Sequence, residues 1–216
     1  MQRNRIIPIL TASLAAFAAT ASVASAATVT GTDSAERLVG TKAADSISAL
    51  GGNDRVFALN GADVVTAGEG NDLVVGGRGD DTLSGEAGND LLFANAGVDV
   101  LNGGDGNDRL WAVARVDVVA GADGAIDTTA DTLNGGAGND RLNARDGEAD
   151  MISCGDGTDV ANLDNADVIS DATVEAPNGS CETVNRAEPK TRDANAINEN
   201  LQQRLADILA KLRGNR

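Results

Sequence analysis

Nine aspartates, Asp45, Asp54, Asp63, Asp72, Asp81, Asp90, Asp99, Asp108 and Asp117, follow one another at intervals of nine residues without a slip. Two residues beyond each stands an apolar residue: Ile47, Val56, Val65, Val74, Leu83, Leu92, Leu101, Leu110 and Val119. Acids locked in phase with a hydrophobic position belong to the architecture and are not a scattered solvated surface. If two units make one turn of a coil, every second aspartate stacks at the spacing of neighbouring strands, about 4.8 Å. Carboxylates that close cannot all stay ionised without a counter-charge; their pKa values rise or the chain opens. A hard divalent cation resolves the conflict. Calcium takes about 6 to 8 oxygen ligands in flexible geometry and mixes carboxylates with backbone carbonyls, whereas magnesium demands a tighter octahedron. With no histidine and two cysteines in the chain, a zinc site of the usual nitrogen and sulfur kind is not expected.

The unit that positions these acids reads Gly-Gly-x-Gly-x-Asp-x-apolar-x. It is complete in GGRGDDTLS (76–84), GGDGNDRLW (103–111) and GGAGNDRLN (135–143). GEAGNDLLF (85–93) and ANAGVDVLN (94–102) lose glycines but keep the acid and the apolar residue in register. The first six residues are expected to turn and the last three to form a short strand with one inward apolar side chain. Glycine suits the turn because it reaches positive φ and lets a neighbouring backbone come close.

These nonapeptides resemble the calcium-binding repeats of the haemolysin type, the repeats-in-toxin, with partial copies from about 31 to 169. The resemblance implies an all-β fold, a right-handed parallel β-roll with two nonapeptides per turn. It also implies calcium between stacked turns, held by loop carbonyl oxygens and the sixth-position aspartates of two successive turns. On this sequence the ligating positions are then Asp54, Asp63, Asp72, Asp81, Asp90, Asp99, Asp108 and Asp140. The accompanying loop glycines are Gly52, Gly68, Gly70, Gly77, Gly79, Gly88, Gly104, Gly106, Gly136 and Gly138.

Composition agrees. Of 216 residues 26 are glycine, with three Phe, one Trp and no Tyr, so a conventional aromatic-rich core is not expected. The formal charge is −16, or −18 once Arg3 and Arg5 leave with a leader. That sign argues against nucleic acid and anionic membrane as partners and for cations.

In chain order, residues 1–26 read as a secretory signal peptide: a basic start, an apolar run from Ile6 to Val23, and Ala24-Ser25-Ala26 as the cleavage site. No later stretch is apolar enough to span a bilayer, so an exported protein beginning near Ala27 is expected, secreted or at the cell surface. The units at 31–48 are frayed: Glu36 replaces the aspartate, and 40–48 lacks the fourth-position glycine. Such terminal repeats cap a solenoid, and calcium is not expected there. Units starting at 49, 67, 85 and 103 all close their turns with Gly-Asn-Asp, while the alternate units read GAD, GDD, GVD and RVD. The tighter calcium column is therefore expected through Asp54, Asp72, Asp90 and Asp108. The last strand position splits the same way, with Val39, Phe57, Val75, Phe93 and Trp111 on one side against Ser48, Thr66, Ser84, Asn102 and Ala120 on the other. An apolar outer stripe marks a contact surface or a strip covered by the chain's own C-terminal segment.

The tripeptide Arg78-Gly79-Asp80 sits inside a full repeat, where glycine and acid have structural reasons to be, and Asn178-Gly179-Ser180 is a glycosylation sequon with meaning only in a eukaryotic secretory pathway. Beyond Ala120 the rhythm loosens, with about five inserted residues expected near 126–130 and a last rung at Asp167 and Ile169. Cys154 and Cys181 in an exported chain favour a disulfide over free thiols, making 171–189 a tethered cap on a roll of 27–170. In the linker and helix at 190–216, Ile197, Leu201, Leu205, Ile208 and Leu212 recur at helical spacing.

The resulting expectation is an exported calcium-binding β-roll, not an enzyme, with calcium-dependent folding and a structural or adhesive role toward a cell-surface or polysaccharide partner. The rivals are a polysaccharide-acting solenoid enzyme working through carboxylates alone and an extracellular calcium buffer.

Overall fold

The structure, a computed structural model, describes residues 25–112, 130–173, 176 and 178–187. The leader, Asp117 and Val119, and the expected C-terminal helix lie outside the described residues.

The described chain is all β. Strands β1 (Thr28–Thr30), β2 (Arg37–Val39), β3 (Ser46–Ser48), β4 (Arg55–Asn60), β5 (Val64–Glu69), β6 (Leu73–Arg78), β7 (Thr82–Ala87) and β8 (Leu91–Ala96) form the first half. β9 (Val100–Asp105), β10 (Arg109–Trp111), β11 (Thr132–Ala137), β12 (Arg141–Ala144), β13 (Met151–Asp156), β14 (Val160–Leu163), β15 (Val168–Ile169) and β16 (Thr183–Arg186) complete it. All odd strands lie side by side in one parallel sheet and all even strands in another. Successive strands alternate between the sheets, so the chain winds as a solenoid of about seven turns. The register is set by two units: Val65 pairs with Leu83 and Leu83 with Leu101 in the odd sheet, Val56 with Val74 and Val74 with Leu92 in the even one.

The division of the unit differs from the expected six-residue turn and three-residue strand. Inner strands run six residues, through positions seven to nine of one nonapeptide and one to three of the next, and only positions four to six turn. Once turns stack, the first three residues also find backbone partners on the next rung, as Gly68 does opposite Glu86; pairing them is cheaper than leaving the groups bare. The interior is also deeper than one side chain per strand. Position eight is joined inside by position one, where Ala49, Ala58, Ala67, Ala94 and Ala112 are fully buried. At Gly76, Gly85, Gly103 and Gly135 the same position is glycine, and there the backbone sits so close that a Cβ would lie 2.3–2.6 Å from Oδ2 of the aspartate five residues on.

The repeat also resumes later than the nine-residue count suggests. The rung beside β9 is β11, and Asp99 stacks on Asp131, 32 residues away, as Asp108 does on Asp140. A turn takes 18, so the excess over the regular spacing is 14 residues rather than about five. At the other end the ladder goes one rung past Asp167 and Ile169. β16 pairs with β14, and a disulfide joins Cys154 on β13 to Cys181 just ahead of β16, both buried.

Candidate metal centre

The turns line up in two columns of carboxylates. In the column leading into the even strands, the backbone N–H of Glu36 donates to Oδ1 of Asp54, that of Asp54 to Asp72, Asp72 to Asp90, Asp90 to Asp108, Asp108 to Asp140 and Asp140 to Asp159, at 2.7–2.8 Å. Asp159 in turn donates to Oε2 of Glu182 at 2.6 Å, so a glutamate stands at each end. The other column runs Asp45, Asp63, Asp81, Asp99, Asp131, Asp150 and Asp167 by the same bond. These aspartates lie inside the coil, at most 5% exposed. The eight sequence-predicted aspartates thus fall five in one column and three in the other.

One oxygen of each is spoken for; in nine of them the second is not. Oδ2 of Asp54, Asp63, Asp72, Asp81, Asp90, Asp108, Asp140, Asp150 and Asp159 is buried with no hydrogen-bond partner among the described residues. Burying an ionised carboxylate without a partner is costly, and the group responds by holding its proton. Burial pushes Asp81 up to about 8, against the hydrogen bond from Asp63, and the charges of Asp99, Asp63 and Asp80 add to the rise. The same balance of burial and neighbouring charge lifts Asp90 to about 7, Asp140 to about 6 and Asp150 to about 8.

The first rung of each column is built differently. Thr41 donates its backbone N–H to Oδ2 of Asp45 and its hydroxyl to Oδ1, 2.9 Å away. Thr32 does the same for Glu36, at 2.8 and 3.0 Å. There the chain saturates its own carboxylate, as it does at the far end, where Asp150 and Asp164 donate to the two oxygens of Asp167; at Asp54, Asp63, Asp72, Asp81, Asp90, Asp108 and Asp140 it does not.

The loop glycines complete the site. Gly52, Gly70, Gly79, Gly88, Gly106 and Gly138, at position four, sit at φ between 106 and 138°. Gly68, Gly77, Gly104 and Gly136, at position two, lie between 107 and 128°. A Cβ on Gly88 would overlap the carbonyl oxygen of Gly70, and one on Gly70 that of Gly52, so the stacked turns bring carbonyl oxygens close along each column. Position two also holds Leu50, Leu59, Glu86 and Asn95 at φ 73–92°, where non-glycine residues are strained. Outside the even-sheet column, Asn53, Asn71, Asn89, Asn107 and Asn139 form a ladder, each Oδ1 accepting the next residue's N–H at 2.8–2.9 Å. The other column carries Ala62, Asp80 and Val98 at this position. The two columns share their carboxylate geometry and differ in outer bracing.

The donors on offer are oxygens alone, orphaned carboxylate oxygens beside backbone carbonyls, and that set suits calcium. The RTX calcium-binding nonapeptide repeat profile matches at 30–65, 50–83, 57–92, 66–101, 75–110, 93–125 and 127–161. The chain belongs to the RTX calcium-binding nonapeptide repeat family. No curated protein and no solved structure matches it. In this RTX roll Asp131, Asp150 and Asp159 occupy the same stacked position; the sequence reading placed Asp150 and Asp159 on the repeat without counting them among the calcium ligands, and Asp131 was legible from the period once the insertion was placed. It also passed over Asp146 and Glu148 in the ten-residue unit ARDGEADMIS (144–153), each of which brings a carboxylate oxygen within 4.8 Å of the other and of Asp150. Among the described residues no helix is long and apolar enough to cross a membrane.

Proposed function

We propose that this chain is an exported calcium-dependent roll with a right-handed winding, acting as a structural or attachment module and carrying no catalysis of its own. The observation that supports it is the set of buried Oδ2 atoms that the chain leaves unsatisfied in mid-roll while saturating their counterparts at the first rung. Asp54, Asp72, Asp90, Asp108 and Asp140 in one column and Asp63, Asp81 and Asp99 in the other would hold the ions, with carbonyls of the stacked turns. Calcium held there would supply positive charge to the stacked carboxylates and so make their ionised forms tolerable inside the coil. In the unfolded chain the stacked site does not exist, so binding free energy becomes folding free energy. The leader at 1–26 would deliver the chain to calcium-rich surroundings, and 171–189 would serve as the tethered cap.

A calcium titration followed by circular dichroism, with magnesium as control, tests the reading. A β-rich spectrum gained in calcium and absent in magnesium or chelator is expected; an equally folded spectrum in chelator overturns it.

A further inference from the structure

The two sheets divide the strand charges without exception. The even strands carry Arg37, Arg55, Arg78, Arg109, Arg141 and Arg186 and no Asp or Glu. The odd strands carry Glu69, Glu86, Asp105 and Asp156 and no Lys or Arg. In a chain of net charge −16, one face is basic. Its outer surface is two straight rows. Position seven reads Arg37, Arg55, Leu73, Leu91, Arg109, Arg141 in successive register. Position nine reads Val39, Phe57, Val75, Phe93, Trp111, Asn143 beside it. The four arginines of the first row are exposed and the aromatics half-buried. Phe93 stacks on Trp111 with ring centroids 5.0 Å apart, and the Arg37 guanidinium lies 4.9 Å over Phe57. The odd sheet presents Ser48, Thr66, Ser84, Asn102 and Asn134 in the equivalent row.

We propose that the outer face of the even sheet binds a linear anionic polysaccharide laid along the roll. The arginines take its carboxylate or sulfate groups through their planar forks, and the aromatic row packs against the C–H faces of its sugar rings. A ladder with one side chain every 4.8 Å or so repeats at close to the length of one sugar unit in an extended chain, so successive rungs meet successive sugars. No carboxylate on these strands competes for the arginines. The chain's own residues 188–216 are a poor cover, since they hold six basic against four acidic residues. A second copy laid through the same face sets arginine against arginine. A copy presenting its odd face matches in charge but sets a hydroxyl and amide row against aromatic rings. The proposal deepens the attachment role above and rests on it, because the face exists only in the folded roll.

The test uses the mature chain in calcium with three probes: a short oligouronate, a sulfated oligosaccharide and a neutral oligoglucan, titrated by calorimetry. Binding to at least one acidic probe, weakening as salt is raised, and no binding to the neutral one are expected; the stronger of the two acidic probes identifies the anionic group. R55S/R109S and Trp111→Ala should each weaken binding tenfold or more, while Glu69→Gln on the opposite face leaves it unchanged. Calcium-induced circular dichroism of each variant separates the outcomes. An unchanged calcium transition with unchanged oligosaccharide binding overturns this proposal alone, as does equal binding of the neutral probe or of no probe. Sedimentation showing wild-type self-association that R55S/R109S abolishes, without oligosaccharide binding, assigns the face to a second copy and overturns it too. Loss of the calcium transition in the wild type overturns the underlying reading instead.

Discussion

The first rungs and the middle rungs of the roll hold a carboxylate in the same place and treat it in opposite ways. At Asp45 and Glu36 a threonine four residues earlier supplies a hydroxyl and an N–H, and both carboxylate oxygens are satisfied. At Asp63, Asp72, Asp81, Asp90 and Asp108 position two is glycine, leucine or glutamate, the turn swings to positive φ, and Oδ2 is left bare and buried. A chain able to satisfy these groups internally does so only where the solenoid ends. The contrast teaches that the bare oxygens are a designed demand for something from outside, and that the threonine rungs close the column without it.

The largest effect expected on this contrast comes from the mid-roll backbone. Gly88→Val forces a branched side chain into positive φ and onto the carbonyl of Gly70, and should cost about 3 kcal/mol or more of calcium-loaded stability. Gly51→Ala, whose Cβ meets nothing closer than 3.6 Å, should be nearly silent in the same thermal melt. Next come the acids. Asp90→Asn should weaken calcium binding roughly tenfold or more, and more than Asp99→Asn on the column without the asparagine ladder. Asp45→Asn should leave calcium affinity unchanged and lower only the melting temperature; a matching affinity loss at Asp45 erases the distinction between end and middle.

Acidity probes the same contrast without mutation. In chelator the folded middle rungs hold protons that the unfolded chain, near 3.8, has released, with Asp81 and Asp150 at about 8 and Asp90 at about 7. Where the folded state binds more protons, stability falls as pH rises, so the metal-free roll should lose structure between about pH 4 and 8. Calcium needs the same groups deprotonated, so its affinity should rise across that window. Chelator-state circular dichroism at pH 5 and pH 8 checks the sign. The smallest effect belongs to Leu59, at φ 88° on a half-open surface. Leu59→Gly relieves strain but loosens the unfolded chain, and a net gain of about 1 kcal/mol or less is expected from calcium-loaded melts.

Much of this was readable from spacing alone. The phase of Asp54 to Asp108 against Val56 to Leu110 marks a nine-residue repeat, the two-unit turn came from the resemblance, and the alternation of Phe57, Phe93 and Trp111 with Thr66, Ser84 and Asn102 marks two unlike faces. The aspartates' inward placement was not readable, because an acid is ordinarily assigned to the outside; only the close-packed Gly76 and Gly103 hinted at room for a carboxylate. The inward alanines escaped for the same reason, since Ala58 or Ala94 reads as a turn residue until six-residue strands are seen. The shift from Asp117 to Asp131 was hidden by a local motif: Val116-Asp117-Val118-Val119 fits the period, and nothing nearby reveals that the rung beside β9 comes from DTLNGG instead. The glutamate closing the even column at Glu182 has no repeat around it, and only stacking identifies it.

The most direct measurement is the calcium content of the mature chain by equilibrium dialysis, paired with its circular dichroism in calcium and in excess chelator. The account predicts several ions retained per folded chain and loss of β structure at neutral pH when they are removed. A chain that binds none, or keeps the same β structure after they are stripped, contradicts it.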